Sequence, residues 1–122
     1  GGGFPRNGLV QKLLPFYRLG YLSLKEIVEK CSVNPAETFG LHQKGNLGIG
    51  ADADITVLDM KRLDAAMSFA GGKRIMDHGR VTGSGGTFLT TKAGVKTAQE
   101  MQLNYQIADT QRSALYGERT AK

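Results

Sequence analysis

A chain of 122 residues is long enough for one ordinary domain with a core, but short for a (β/α)8 barrel, which typically takes about 250. With 40% hydrophobic and 22% charged residues it reads as soluble and globular; it has no apolar run near the ~18 residues of a membrane span and no signal-peptide pattern, so a cytoplasmic location is expected. The net charge of +5 comes from scattered basic residues without basic-aromatic interleaving, which argues for solubility and against nucleic acid as a partner.

Gly1-Gly2-Gly3 and the following Phe4-Pro5-Arg6-Asn7-Gly8 form a loop by composition, because glycines and a proline break any periodicity. Leu9, Leu13, Phe16 and Tyr17 then fall at helical spacing, and Asn7 can cap the first turn, so a helix is expected from about Gly8 to Leu19. Pro15 counts against it, and Gly20 supplies the stop. Ser23-Leu24-Lys25-Glu26 is a capping box, and Leu24, Ile27, Val28 and Cys31 continue it as an apolar stripe at i, i+3, i+4 and i+7. Asn34 as N-cap, Pro35 at the first helical position and Gly40 past the end predict a separate short helix, Pro35 to Phe39, with Leu41 closing on it and Phe39 anchored in the core.

The most informative stretch is Lys44 to Asp59. Glycines 45, 48 and 50 mark a tight turn, and Ala53 to Leu58 then reads as a strand whose Ile55 and Val57 alternate with Asp54 and Thr56, the pattern of one buried face. The aspartates here read as turn and strand-entry residues whose carboxylates accept backbone N–H groups. Lys61 to Asp64 is a polar connection, followed by expected strands at Ala65–Ala70, Lys73–Asp77 and Arg80–Thr82 with turns at Gly71-Gly72 and Gly79. Thr82 to Gly86 reads as a linker, Thr97-Ala98-Gln99-Glu100 as another capping box, and Met101, Leu103, Tyr105 and Ile107 as a partial helical stripe.

The passage Asn34-Pro35-Ala36, then Gly40-Leu41, Lys44-Gly45 and Gly50-Ala51-Asp52-Ala53-Asp54 resembles the amidohydrolase superfamily, which includes dihydroorotases, hydantoinases, N-acyl-D-amino-acid deacylases and isoaspartyl dipeptidases. Gly72-Lys73 and Gly79 match its last hairpin, and the resemblance covers roughly residues 1 to 88. It implies an α/β + β fold: residues 1–43 as the C-terminal helices of a metal-dependent barrel, 44–86 as strands of a small β-sandwich, and 87–122 as a partly helical C-terminal extension. It also implies that the remainder of the barrel is a partner of this chain, and leaves homo-oligomerisation open.

The same resemblance implies hydrolysis of a C–N bond in a small-molecule substrate, an N-acyl amino acid, a dipeptide or a cyclic amide, by a water activated on a divalent metal, expected to be zinc. The superfamily's metal site needs a His-x-His pair, further His and carboxylate ligands, and an Asp. His42 and His78 lie outside such a spacing and read as solvated or turn residues, so no catalytic or metal-ligating residue is assigned and the chain alone is expected to be inactive. Cys31, the only cysteine, reads as a small core residue. Phe4, Arg6 and Asn7 are the candidate substrate-binding residues, since the resemblance places them just beyond the last barrel strand, and Arg6 suits a carboxylate through a two-point contact. The alternative from another class is a non-catalytic α+β module that binds a partner.

Overall fold

The computed structural model describes residues 8–113. Its elements are α1 (Gly8–Arg18), α2 (Leu24–Val28), a π-helical turn (Glu29–Val33), α3 (Asn34–Thr38), β1 (Ile55–Asp59), β2 (Asp64–Ala70), β3 (Lys73–Asp77), β4 (Arg80–Val81), β5 (Phe88–Thr90), a 3-10 turn (Lys92–Gly94), α4 (Val95–Glu100) and β6 (Tyr105–Ile107). The expected cap Asn7 lies outside the described residues.

Both helical segments end by the same local chemistry. At the end of α1, Gly20 takes a φ of +79°, its N–H donates to the Tyr17 carbonyl (3.0 Å), and the Tyr21 N–H donates to Phe16 (2.9 Å). These are the two bonds of a Schellman motif, and the Phe16 and Tyr21 rings meet edge to face, 6.4 Å between centroids, as the apolar contact that accompanies it. At the end of α3, Gly40 has a φ of +67°, its N–H donates to Glu37 (3.2 Å) and the Leu41 N–H to Ala36 (2.8 Å). Leu41 thus closes on the helix as expected.

The start of α2 is the capping box read from the sequence. The Ser23 hydroxyl oxygen accepts the Glu26 N–H (3.2 Å), and the Glu26 carboxylate accepts the Ser23 N–H (2.8 Å). Those hydrogen bonds, the backbone one from Ser23 foremost, hold the Glu26 carboxyl below the usual carboxylate range.

Two expectations for the next segment are corrected. Asn34 is not an N-cap: its backbone is helical (φ −60°, ψ −44°), so α2, the π-helical turn and α3 form one uninterrupted helix. Pro35 lacks an N–H, and its ring would crowd the carbonyl four residues back in a regular α-helix; widening the preceding turn to i→i−5 bonding, as in the Asn34 N–H to Glu29 carbonyl bond, accommodates it without a break. Nor is Phe39 anchored in the core, because it is 42% exposed and the buried residue of α3 is Ala36.

Strands β1 to β4 form an antiparallel meander in that spatial order. Gly71-Gly72 and His78-Gly79 make its last two reversals with φ positive at both central residues, the two-residue turn whose twist suits flanking strands. The first reversal is held by Asp59, whose carboxylate accepts the Lys61 (2.9 Å) and Arg62 (3.0 Å) N–H groups and is thereby kept below the usual range, most by the bond from Arg62. Helix α1 is fastened over that turn: Arg18 donates to the carbonyls of Met60 (3.3 Å) and Lys61 (3.0 Å), and Gln11 donates to Asp64 (3.2 Å).

Alternation along β1 is present, but its apolar face is not covered. Ile55 and Val57 remain 39% and 37% exposed on a strand at the edge of the sheet. Residues 82–86 do not hang free as a linker either, since the Thr82 (2.9 Å) and Gly83 (3.2 Å) N–H groups both donate to the Ile75 carbonyl and lay the segment beside β3.

The C-terminal part is a β–α–β unit. Strands β5 and β6 pair in parallel, Phe88 opposite Tyr105 and Thr90 opposite Ile107, with α4 as the crossover. Thr97-Glu100 is therefore helix interior rather than a capping box, and α4 starts at Val95 behind Gly94, which offers no side-chain cap. Leu103, Tyr105 and Ile107 are spaced by two; with Gln102 at a φ of +53° ending the helical turn, that spacing gives a strand instead of a helical stripe.

Gly45 has a φ of +73°, and a β-carbon there would lie 2.6 Å from the Ser32 carbonyl oxygen and 2.9 Å from the Ala36 β-carbon. Gly50 has a similar φ of +86° with open space around it. Gly50→Ala is therefore expected to cost only the left-handed backbone penalty, about 1 kcal/mol. Gly45→Ala should cost roughly 2–4 kcal/mol, because helix and turn must also separate. Denaturant titration of the two variants checks the difference; equal losses would refute the close approach.

Candidate functional site

A cleft of about 600 Å³ opens between the helices and β1, lined by Leu14, Ile27, Val28, Cys31, Ile55 and Leu58 among others. Leu14 is fully buried and Ile27 is 5% exposed, so these two form its floor. Val28 at 50% and Ile55 at 39% exposure leave its sides open to water. Of the stripe Leu24, Ile27, Val28 and Cys31, the last three line this cleft, and only Ile27 is buried. Cys31 is half-buried, and burial pushes its thiol up, away from the thiolate a nucleophile needs.

The same cleft is lined by Lys44 and Asp54, which belong to a charged cluster that sequence reasoning missed. The Lys44 ammonium donates to Asp52 (2.8 Å) and to Asp54, and the second Asp54 oxygen accepts the Gly71 N–H (2.8 Å) from the β2–β3 turn. Two backbone bonds run alongside, from the Asp52 N–H to the Gln43 carbonyl (2.8 Å) and from the Gly72 N–H to the Ala53 carbonyl (2.8 Å). The visible signal was one cation ahead of an Asp-x-Asp pair across a glycine turn. That pairing spans eight and ten positions, beyond the reach of local turn patterns.

The two carboxylates raise the Lys44 pKa, the Asp52 bond contributing most. Lys44 in turn, followed by the Gly71 N–H, lowers that of Asp54. With its ammonium neutralised by two acids, Lys44 is a lock between turn and sheet rather than an anion receptor. Asp52 and Asp54 each direct one oxygen to the same ammonium, which occupies the place a cation would need.

The histidines stand apart from this cluster. His42 is exposed, and its carbonyl accepts the Asn46 side-chain amide (3.2 Å). His78 sits at the β3–β4 turn with Nδ1 2.5 Å from an Asp77 oxygen, and Asp77 also pairs with Arg74 (3.1 Å). Among the described residues no group of three or more His, Cys, Asp or Glu side chains is gathered as a metal site. No helix among them is long and apolar enough to cross a membrane. Phe4, Arg6 and Asn7, the candidate substrate-binding residues, lie outside the described residues.

A sequence model of the amidohydrolase family matches residues 6–101. The chain belongs to the amidohydrolase family. Its curated relatives include dihydroorotases from Pyrococcus furiosus, 45% identical over 53 residues, and Archaeoglobus fulgidus, 36% identical over 66. Another, from Methanothermobacter thermautotrophicus, is 42% identical over 60 residues. These alignments take in 43%, 51% and 48% of this chain but only 13%, 16% and 14% of the respective relatives. The chain therefore matches about one-seventh of the length of an amidohydrolase of this kind. No solved structure matches it. The match runs through both helical segments, the Lys44 cluster, the four-stranded sheet, β5 and α4, and stops before β6.

The cluster makes stability depend on pH in a definite direction. Asp54, depressed in the fold, contributes fully above the ordinary carboxylate range, and that contribution is lost as pH falls through its lowered value. Lys44, raised in the fold, contributes fully below the ordinary lysine range and loses it as pH rises through its raised value. Between about pH 5 and pH 9 the cluster's contribution is flat. Lys44→Met should lower stability across that plateau by roughly 1 kcal/mol, the scale of a part-exposed ion pair, and blunt the alkaline decline. Thermal melts of both proteins from pH 3 to pH 11 measure it; an alkaline limb unchanged in the variant would refute the assignment.

Proposed function

We propose that this chain is the C-terminal part of a metal-dependent amidohydrolase that hydrolyses a cyclic amide of the dihydroorotate type. The observation that carries this reading is the family match over residues 6–101, joined to the dihydroorotases among its relatives. Of the three substrate classes implied by the family resemblance, those relatives favour the cyclic amide over N-acyl amino acids and dipeptides. In this reading residues 1–43 belong to the barrel, 44–86 to a small β-sandwich and 87–122 to a C-terminal extension.

The described residues offer no donor set that fits the divalent metal the family implies, so no step of the reaction is assigned to them. The metal, zinc in our reading, would be held by other parts of the complete protein. The residues of this chain would instead position the substrate side of the site. Phe4, Arg6 and Asn7 would line the pocket, with the planar Arg6 guanidinium taking a substrate carboxylate through two parallel hydrogen bonds.

The test is an assay of the complete protein, metal-loaded and chelator-treated, on a six-membered cyclic amide acid, an N-acyl amino acid and an isoaspartyl dipeptide. Ring opening that disappears with chelator and returns with zinc is the expected result, with this 122-residue chain alone inactive. Turnover of only the linear amides would replace the substrate reading, and hydrolysis of none would sink the enzyme reading. In that protein, Arg6→Met should raise KM for a carboxylate-bearing substrate by roughly 10- to 100-fold, the loss of a charge-assisted contact, with kcat less affected. An unchanged KM would remove Arg6 from the pocket.

The partner-binding reading is favoured by one observation, the open apolar cleft beside β1. In the enzyme reading that cleft is covered by the remainder of the same protein. Val28→Lys with Ile55→Lys separates the two. It should make the isolated chain more soluble while destabilising the complete enzyme, as read by light scattering of the first and the melting temperature of the second. A complete enzyme indifferent to both substitutions would leave the cleft to a separate partner.

A further inference from the structure

We draw no further inference here: the strongest candidate, the open apolar cleft between the helices and the edge strand β1, belongs to the site already described, and nothing in the structure shows which segment or partner covers it.

Discussion

The Lys44 ammonium, held between Asp52 and Asp54, is the interaction on which the arrangement of the described residues depends. Asp54 passes the constraint on to Gly71, so one lysine in the turn beyond α3 ties that turn to the β2–β3 hairpin of the sheet. The next residue, Gly45, lies so close to Ser32 and Ala36 that only glycine fits between turn and helix. A charge contact and a steric contact therefore act on consecutive residues, one toward the sheet and one toward the helix. Either contact alone would leave the turn able to pivot. Together they define the cleft, whose two sides are the surfaces they hold apart.

What was legible in the sequence is what is determined locally. The capping box at Ser23 and the helix stops at Gly20 and Gly40 each depend on a few consecutive residues whose hydrogen bonds close within one turn. The hairpins were legible for the same reason, since Gly71-Gly72 and Gly79 permit the backbone sign a two-residue reversal needs. Asn34 misled because Asn-Pro is a sound helix-start signal, and the accommodation that defeats it, a widened turn just upstream, leaves no mark in residue types. Thr97 misled similarly: the Thr-x-x-Glu spacing is present, but α4 had already begun at Val95.

Burial was the least legible property, and the reason is instructive. Periodicity reports which face of an element is prepared for burial, not whether this chain supplies the other surface. Val28 on the helical stripe and Ile55 and Val57 on β1 all carry the pattern of core residues and are each more than a third exposed. Among the described residues the buried hydrophobics are Leu14, Ile27, Ala36 and Ala98, only one of them fully buried. That is a thin core for so much apolar patterning. At about 25 cal/mol per Å² of apolar surface removed from water, covering the cleft would supply a substantial share of the stability such a fold needs. The mismatch between pattern and burial agrees with a chain that matches one-seventh of its relatives' length.

The C-terminal stretch shows how far structural unity extends beyond family likeness. The family match ends at residue 101, before β6. Yet a β-carbon on Gly40 would lie 2.4 Å from the Asp109 carbonyl oxygen and 3.2 Å from the Arg112 β-carbon, so the chain after β6 returns to rest directly on the end of α3. Asp109 shapes that return, its carboxylate accepting the Gln111 (3.1 Å) and Arg112 (3.3 Å) N–H groups, and Ser113 beside them is buried. Gly40 consequently serves two constraints at once: its positive φ ends the helix, and its missing side chain admits Asp109. The segment after β6 is thus tied to the family-matched part of the chain by a backbone-to-backbone approach, a contact that no reading of apolar periodicity could register.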